Sequence, residues 1–274
     1  MKYFYEKLAD DSLKIGYKVK KDIYSKKNKN NKIEVVENAL LGKIFVLNSE
    51  ISLIEKYEFA FSEMVVHSIM FSHPKPEKVL LIGEIDRGIL KEIVKHKNVN
   101  EIYFISSNKE AKEVFQKNFS NLTVKDEVKI KTVFDDSLEY INNFEDYFDV
   151  IIIDSKEANL RKKDFLKSAF KALTREGMIS LVSGSLKRAS DINNEVKLFK
   201  TVFRYPTVIR IPSTQEIFSD LGVVLASKKI NVSEISLRTL ISRFKQFKEA
   251  KNLKYYSPEI YLSSLVIPKF YDIK

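Results

Sequence analysis

A run of short apolar segments separated by helical patterns, beginning just after His73-Pro74-Lys75-Pro76, limits this chain more than any other feature. Lys78-Val79-Leu80-Leu81-Ile82 is almost wholly apolar and too short for a buried helix, so it reads as a buried strand. An amphipathic stretch from Gly88 to Lys95 follows, then a strand over Glu101 to Ile105 and a helix over Lys109 to Phe119. The alternation continues with strands over Val128 to Val133 and Asp149 to Asp154. A helix over Phe165 to Leu173, closed by Arg175-Glu176-Gly177, leads to a strand over Met178 to Val182. Strands this apolar are covered on both faces, so the pattern predicts an α/β fold with a parallel sheet between helices. Ligands in such sheets bind beyond the carboxyl ends of the strands. Site residues are therefore expected in the segments that follow these strands.

The chain ahead of the prolines reads differently. Ile33-Glu34-Val35-Val36 and Lys43-Ile44-Phe45-Val46-Leu47 are short β-branched or aromatic runs, separated by turn residues at Asn38 to Gly42 and Asn48-Ser49. Residues 1–56 are expected to form a small β domain and residues 57–274 a larger one. The second opens with a helix from Glu58 to Met70, whose apolar face carries Phe59, Phe61, Met64, Val65 and Ile69. The two prolines end that helix, because neither can continue its hydrogen-bond ladder.

Composition narrows the chemistry. The chain has no cysteine, which excludes disulfides, thiolate metal sites and thiol nucleophiles. His67, His73 and His96 are too widely spaced for a histidine metal motif, so no metal is expected. No apolar run approaches the roughly 20 residues needed to cross a bilayer, and charges interrupt the first ten residues where a signal peptide would be apolar. A cytoplasmic, metal-free protein is expected. The net charge of +10 is spread along the chain, and its one dense stretch, Lys20 to Lys29, reads as a solvated hairpin tip. Nucleic acid is not the expected partner.

Three places carry candidate chemistry. The first is the loop Gly83-Glu84-Ile85-Asp86-Arg87-Gly88, where glycines would let a nucleotide approach the backbone. Glu84, Ile85 and Arg87 instead put side chains there, and the loop reads equally as a plain tight turn. The second is Ser106-Ser107-Asn108, where a ribose-binding protein has a carboxylate; a helix N-cap at Ser107 or Asn108 is the alternative. The third is a set of acids, Asp135 and Asp136 after one strand and Asp154 with Glu157 after the next. Asp154 is placed to act as a general base toward an amine or to hold an ammonium, unless it only caps its strand.

Several of these segments resemble the spermidine synthase, or polyamine aminopropyltransferase, family. Glu58-Phe59-Ala60-Phe61-Ser62-Glu63-Met64, followed by His73-Pro74-Lys75-Pro76 and the strand to Gly83, is similar to the family's DEFxYHEM and HPxPxxVLIIGGGDGG. Leu90 to His96 resembles LREVLKH, and Phe148 to Ser155 resembles FDVIIxDSS. Leu253-Lys254-Tyr255-Tyr256, with Ile267-Pro268, resembles the family's LKYYN…LP tail. The resemblance implies a Rossmann-like domain of the S-adenosylmethionine-methyltransferase type behind a small antiparallel β domain. It implies transfer of an aminopropyl group from decarboxylated S-adenosylmethionine, a co-substrate, to putrescine or a related amine. No bound cofactor is implied. A homodimer or homotetramer is implied as well, with Phe45, Val46 and Ile51 as interface candidates.

Carried over by position, the resemblance makes Asp154 the carboxylate that orients or deprotonates the amine. It makes Asp86, Glu157, Asn31 and Glu63 substrate-binding, and Gly83, Ser106 and Asp136 contacts of the nucleoside donor. Other family positions are altered. Phe61 and Thr214 stand for two pocket tyrosines, Ser62 for a His or Gln, and Tyr261 for a tail histidine. Ser106 stands for the ribose glutamate, Glu84 and Arg87 for loop glycines, and Ala158 to Arg161 for the gatekeeping PxGP. Three readings stay open on this footing: a divergent aminopropyltransferase, a noncatalytic paralogue that serves as an oligomerisation or binding partner, and a binder of another nucleoside or polyamine.

Overall fold

The computed structural model describes residues 2–6, 14–29, 31–124, 129–212 and 219–273. Its centre is a seven-stranded sheet in the order β12-β13-β11-β10-β7-β8-β9. The strands are β7 (Lys78–Gly83), β8 (Glu101–Ile105), β9 (Ile130–Val133), β10 (Phe148–Asp154), β11 (Leu173–Ser185), β12 (Thr207–Pro212) and β13 (Asp220–Ser227). The pairs among β7 to β11 are parallel, while β13 runs antiparallel to both β11 and β12. The expected strands and helices are present among the described residues, with one shift; Val128, where the third strand was expected to start, lies outside them. Helix α5 (Lys163–Ala172) ends at once into β11, because Leu173 already pairs with Phe148 before the ladder resumes at Met178 and Val150.

Alternate residues of the central strands feed two cores. Val79, Leu81, Val150 and Ile152 face helices α1 (Glu58–Ser72), α2 (Ile89–Ile93), α7 (Leu237–Gln246) and α8 (Pro258–Ser264). Leu80, Ile82, Ile151 and Ile153 face α5 and α6 (Ala189–Lys200). This is the burial on both faces that continuous apolar strands require.

Helix α1 is not the one-sided helix its pattern suggested. It is buried nearly all round, and several of its polar residues find partners inside, although the Ser68 hydroxyl is buried without one among the described residues. His67 bonds His96 through Nδ1 at 2.9 Å and Glu92 through Nε2 at 3.1 Å. The Ser72 hydroxyl donates to the Ser68 carbonyl at 2.7 Å and lies 3.1 Å from the Tyr261 hydroxyl. Most buried polar groups in folded proteins are bonded in this way.

The first part of the chain forms a hairpin, β1 (Lys2–Glu6) with β2 (Ile15–Val19), and an antiparallel sheet of β3 (Lys21–Lys27), β4 (Lys32–Asn38), β5 (Gly42–Leu47) and β6 (Glu50–Ile54). Asn48 and Ser49 join β5 to β6 with φ of 53° and 69°, the left-handed pair that a two-residue hairpin turn needs. The lysine-rich stretch is mostly the edge strand β3 rather than a hairpin tip, and its charges guard an open sheet edge.

One face of this sheet packs Ile33, Val35, Phe45 and Leu53 against Phe115 and Phe119 of helix α3 (Lys109–Asn118) and the residue after it. The other packs Val46 and Ile51 under Phe4, Tyr17 and Val19 of the hairpin. Phe45, Val46 and Ile51 are thus covered within the chain, with Phe45 and Val46 at 0% exposure. The Phe45 ring meets Phe115 and Phe119 edge-on at 6.3 and 6.0 Å. Replacing Phe115 by Ala is expected to cost about 3–5 kcal/mol, read as a lower denaturant midpoint. A loss under about 1 kcal/mol contradicts this packing.

Candidate functional site

The carboxyl ends of β7, β8, β9 and β10 lie side by side, and the sequence-predicted acids gather there. Gly83 and Asp154 are paired partners in the β7–β10 ladder. A Cβ on Gly83 would lie 2.9 Å from the Asp154 carbonyl oxygen and 3.1 Å from that of Ile85, so only glycine fits. This close approach folds the loop after β7 back over the end of β10.

Within that loop Asp86 is buried, and its Oδ1 accepts the Gly88 N–H at 3.1 Å. Its own carbonyl accepts the Ile89 N–H at 2.7 Å, which starts α2. Arg87 and Gly88 then take φ of 47° and 81°. Glycine adopts this region freely, whereas a side chain there costs roughly 1–2 kcal/mol.

The Arg87 side chain shows what holds it in that conformation. Its guanidinium carbon lies 3.8 Å from the centroid of the Phe61 ring. Its Nη1 reaches both oxygens of Asp154, at 3.2 and 3.3 Å. The two side chains are only 12% and 8% exposed, so this ion pair is well shielded from solvent. Phe61, Arg87 and Asp154 thus meet at the carboxyl end of β10. The loop sequence foretold side chains here, but not that one would seat on Asp154.

The neighbouring carboxyls respond to burial. Glu84 turns toward Ser155, whose Oγ donates to it at 3.2 Å. Burial and the charge of Asp154 hold its pKa above the usual range. Glu58 packs against Gly88, with Oε2 2.7 Å from where a Cβ would stand. Burial pushes Glu58 up to about 8, against the opposing pull of a Ser62 hydrogen bond and the Arg87 charge.

At the end of β8, Ser106 is fully buried, and its Oγ donates to the Glu84 carbonyl at 2.9 Å while accepting the Asn108 N–H. It ties β8 to the loop after β7. Asn108 caps α3 by accepting the Ala111 N–H at 3.0 Å. Asp136 is exposed and caps α4 (Ser137–Ile141), with Oδ1 accepting from Leu138 and Glu139. Asn31 sits in the β3–β4 turn, which Asn28 fastens over the start of α3 through Glu110.

The remaining candidates have structural partners. Glu63 is 2% exposed, and its oxygens accept the backbone N–H groups of Lys254, Tyr255 and Tyr256 at 2.7–3.1 Å. It thereby clamps the C-terminal segment onto α1. Glu157 opens the short turn after β10, half-buried. Arg161 in that turn was not foreseen as a clamp. It bonds Glu195 at 2.7 Å and the carbonyls of Ser155 and Val182 at 2.7 and 3.1 Å. Thr214 lies outside the described residues. Among the described residues no group of acids and histidines could hold a metal ion, and no helix is long and apolar enough to cross a membrane.

A parallel sheet with an antiparallel last hairpin, and acids gathered at its carboxyl edge, defines a Rossmann-like protein of the S-adenosylmethionine-methyltransferase type. Comparison with known proteins makes this specific. Residues 58–235 match the spermine/spermidine synthase domain, and residues 3–55 match the spermidine synthase tetramerisation domain. The chain belongs to the spermine/spermidine synthase family. It is 32% identical to a polyamine aminopropyltransferase of Hydrogenobaculum sp. (strain Y04AAS1), over 98% of this chain and 95% of that one. It is 31% identical to a spermidine synthase of Schizosaccharomyces pombe, over 92% and 86%. A solved spermidine synthase in complex with the transition state analogue AdoDATO superposes with a TM-score of 0.91 at 27% identity, covering 98% of this chain and 92% of that one. The spermidine synthase of Thermotoga maritima gives 0.89, with the same identity and coverage.

Glu58 offers a test of the site's electrostatics. Its folded pKa of about 8 lies above the unfolded value of 4.5, so its contribution to stability is full below 4.5 and lost as pH rises through 8. The melting temperature of the wild type, relative to Glu58→Gln, is expected to fall between about pH 5 and pH 8 and to level off above that. A constant difference over that range contradicts a buried, protonated Glu58.

Proposed function

We propose that this chain is a polyamine aminopropyltransferase that moves an aminopropyl group from decarboxylated S-adenosylmethionine to putrescine or a related amine. The observation that carries the reading is Asp154, at the carboxyl end of β10 and already holding a cation beside an aromatic face. A carboxylate in that setting positions an amine and accepts its proton. In the reaction the amine nitrogen attacks the carbon attached to the sulfonium. The C–N bond forms, the C–S bond breaks, the sulfur keeps the electron pair as methylthioadenosine leaves, and the amine gives up a proton.

No residue must supply a covalent intermediate, so the catalytic demand is alignment plus a neutral amine. Asp86 is assigned to the aminopropyl end of the donor and Asp136 to its adenine. Gly83 and Ser106 line the nucleoside side, with Asn31 reaching in from the β3–β4 turn. Glu157 and Glu63 complete the acceptor side in this assignment, Glu63 by holding Lys254 to Tyr256 in place. The match of residues 3–55 to a tetramerisation domain supports a homodimer or homotetramer, and the small soluble substrates suit a cytoplasmic enzyme.

The test is release of methylthioadenosine from decarboxylated S-adenosylmethionine and putrescine. Product is expected from the wild type, and Asp154→Asn is expected to lower turnover by roughly a hundredfold or more while melting cooperatively. An unchanged rate in Asp154→Asn removes that residue from the mechanism. No product from the wild type with any diamine removes the reading.

A further inference from the structure

The contact between Arg87 and Asp154 has no counterpart in the reaction just described. An acceptor amine needs an aromatic face, a carboxylate and shelter from water, and Arg87 already occupies a place with all three. Its guanidinium carbon is 3.8 Å from the Phe61 ring centroid, and its Nη1 is 3.2 and 3.3 Å from the two oxygens of Asp154. The Asp154 carboxylate keeps free lone pairs, but an amine reaching them from the Phe61 face would meet the guanidinium. Two cations brought together in a shielded site also repel strongly.

We propose that Arg87 is a tethered occupant of the acceptor subsite, seated on Phe61 and Asp154 where the cationic nitrogen of the acceptor belongs. An acceptor then binds only by displacing it, and Arg87 sets the affinity and selectivity for the amine. The identity of the acceptor rests on the transferase reading above, whereas the cation subsite rests on geometry alone.

The loop is built so that the side chain moves and the backbone stays. The Asp86 carboxylate pins the Gly88 N–H at 3.1 Å, the Asp86 carbonyl pins Ile89 at 2.7 Å, and Ser106 pins the Glu84 carbonyl at 2.9 Å. Arg87 leaves Asp154 by turning about its side-chain bonds while these backbone contacts stay in place. A cost in apparent affinity follows from the population of the seated form. If about nine molecules in ten are seated, the amine binds about tenfold more weakly than to an open site. The same contact shields Asp154 from weakly bound cations, so an acceptor must outcompete a guanidinium to enter.

Two variants test this. Arg87→Gly removes the tether and suits a φ of 47°, while Arg87→Gln keeps most of the length and removes the charge. Calorimetric titration with putrescine is expected to show binding about tenfold tighter, or more, in both variants than in the wild type. Methylthioadenosine affinity should change by less than about twofold. Equal or weaker putrescine binding in the variants overturns the proposal, and a variant without a cooperative melt is set aside so that the other decides. Methylthioadenosine release, assayed on all three proteins, separates this proposal from the reading beneath it. Tighter putrescine binding with no product from any protein keeps the tethered cation and removes the transferase. Product from all three at the same amine KM keeps the transferase and removes the tethered cation.

Discussion

The cleft depends on the contact between the ends of two neighbouring strands. Gly83 and Asp154 lie opposite each other in the β7–β10 ladder, so close that a Cβ on Gly83 would meet the Asp154 carbonyl at 2.9 Å. That approach forces the loop after β7 to bend over Asp154 rather than away from it. Everything that gives the site its character follows from the bend: Asp86 turns in to cap Gly88, Glu84 lies against Ser155, and Arg87 reaches Asp154. A wider strand end would leave each of these side chains in solvent, where an ion pair contributes little.

A second layer of contacts holds the far wall of the cleft. Phe61 lies on α1, and α1 is fixed by polar groups bonded inside the protein. Glu63, two residues on, gathers the backbone of Lys254 to Tyr256, and His67 joins Glu92 and His96 on and beside α2. Burial keeps both histidines below their usual pKa, which suits a neutral, hydrogen-bonded core. The aromatic face under Arg87 is therefore as rigid as the helix that carries it. On the other side, Arg161 fastens the turn after β10 to β11 and to Glu195 of α6.

The fold was legible because its strands are long enough in branched apolar residues to exclude any surface role, as in Val79 to Ile82 and Val150 to Ile153. The acids at the strand ends were legible by position, since a parallel sheet presents only one edge to ligands. Other features depended on contacts that local patterning does not encode. The polar residues of α1 suggested a solvent face, but their partners lie far along the chain, at Tyr256 and Tyr261 among others. Ser106 reads as a weakened ribose ligand, yet its hydroxyl ties two strand ends together. The contact of Arg87 with Asp154 is made from a backbone with a φ of 47°, which local patterning does not encode.

In the proposed reaction an amine binds at Asp154, where a guanidinium is seated until the amine arrives. A crystal structure with methylthioadenosine and putrescine bound tests both halves at once. A putrescine nitrogen is expected within hydrogen-bond distance of Asp154 and over the Phe61 ring, with the Arg87 side chain turned away. An Arg87 still seated on Asp154, with the amine bound elsewhere or not at all beside an occupied nucleoside site, would contradict it.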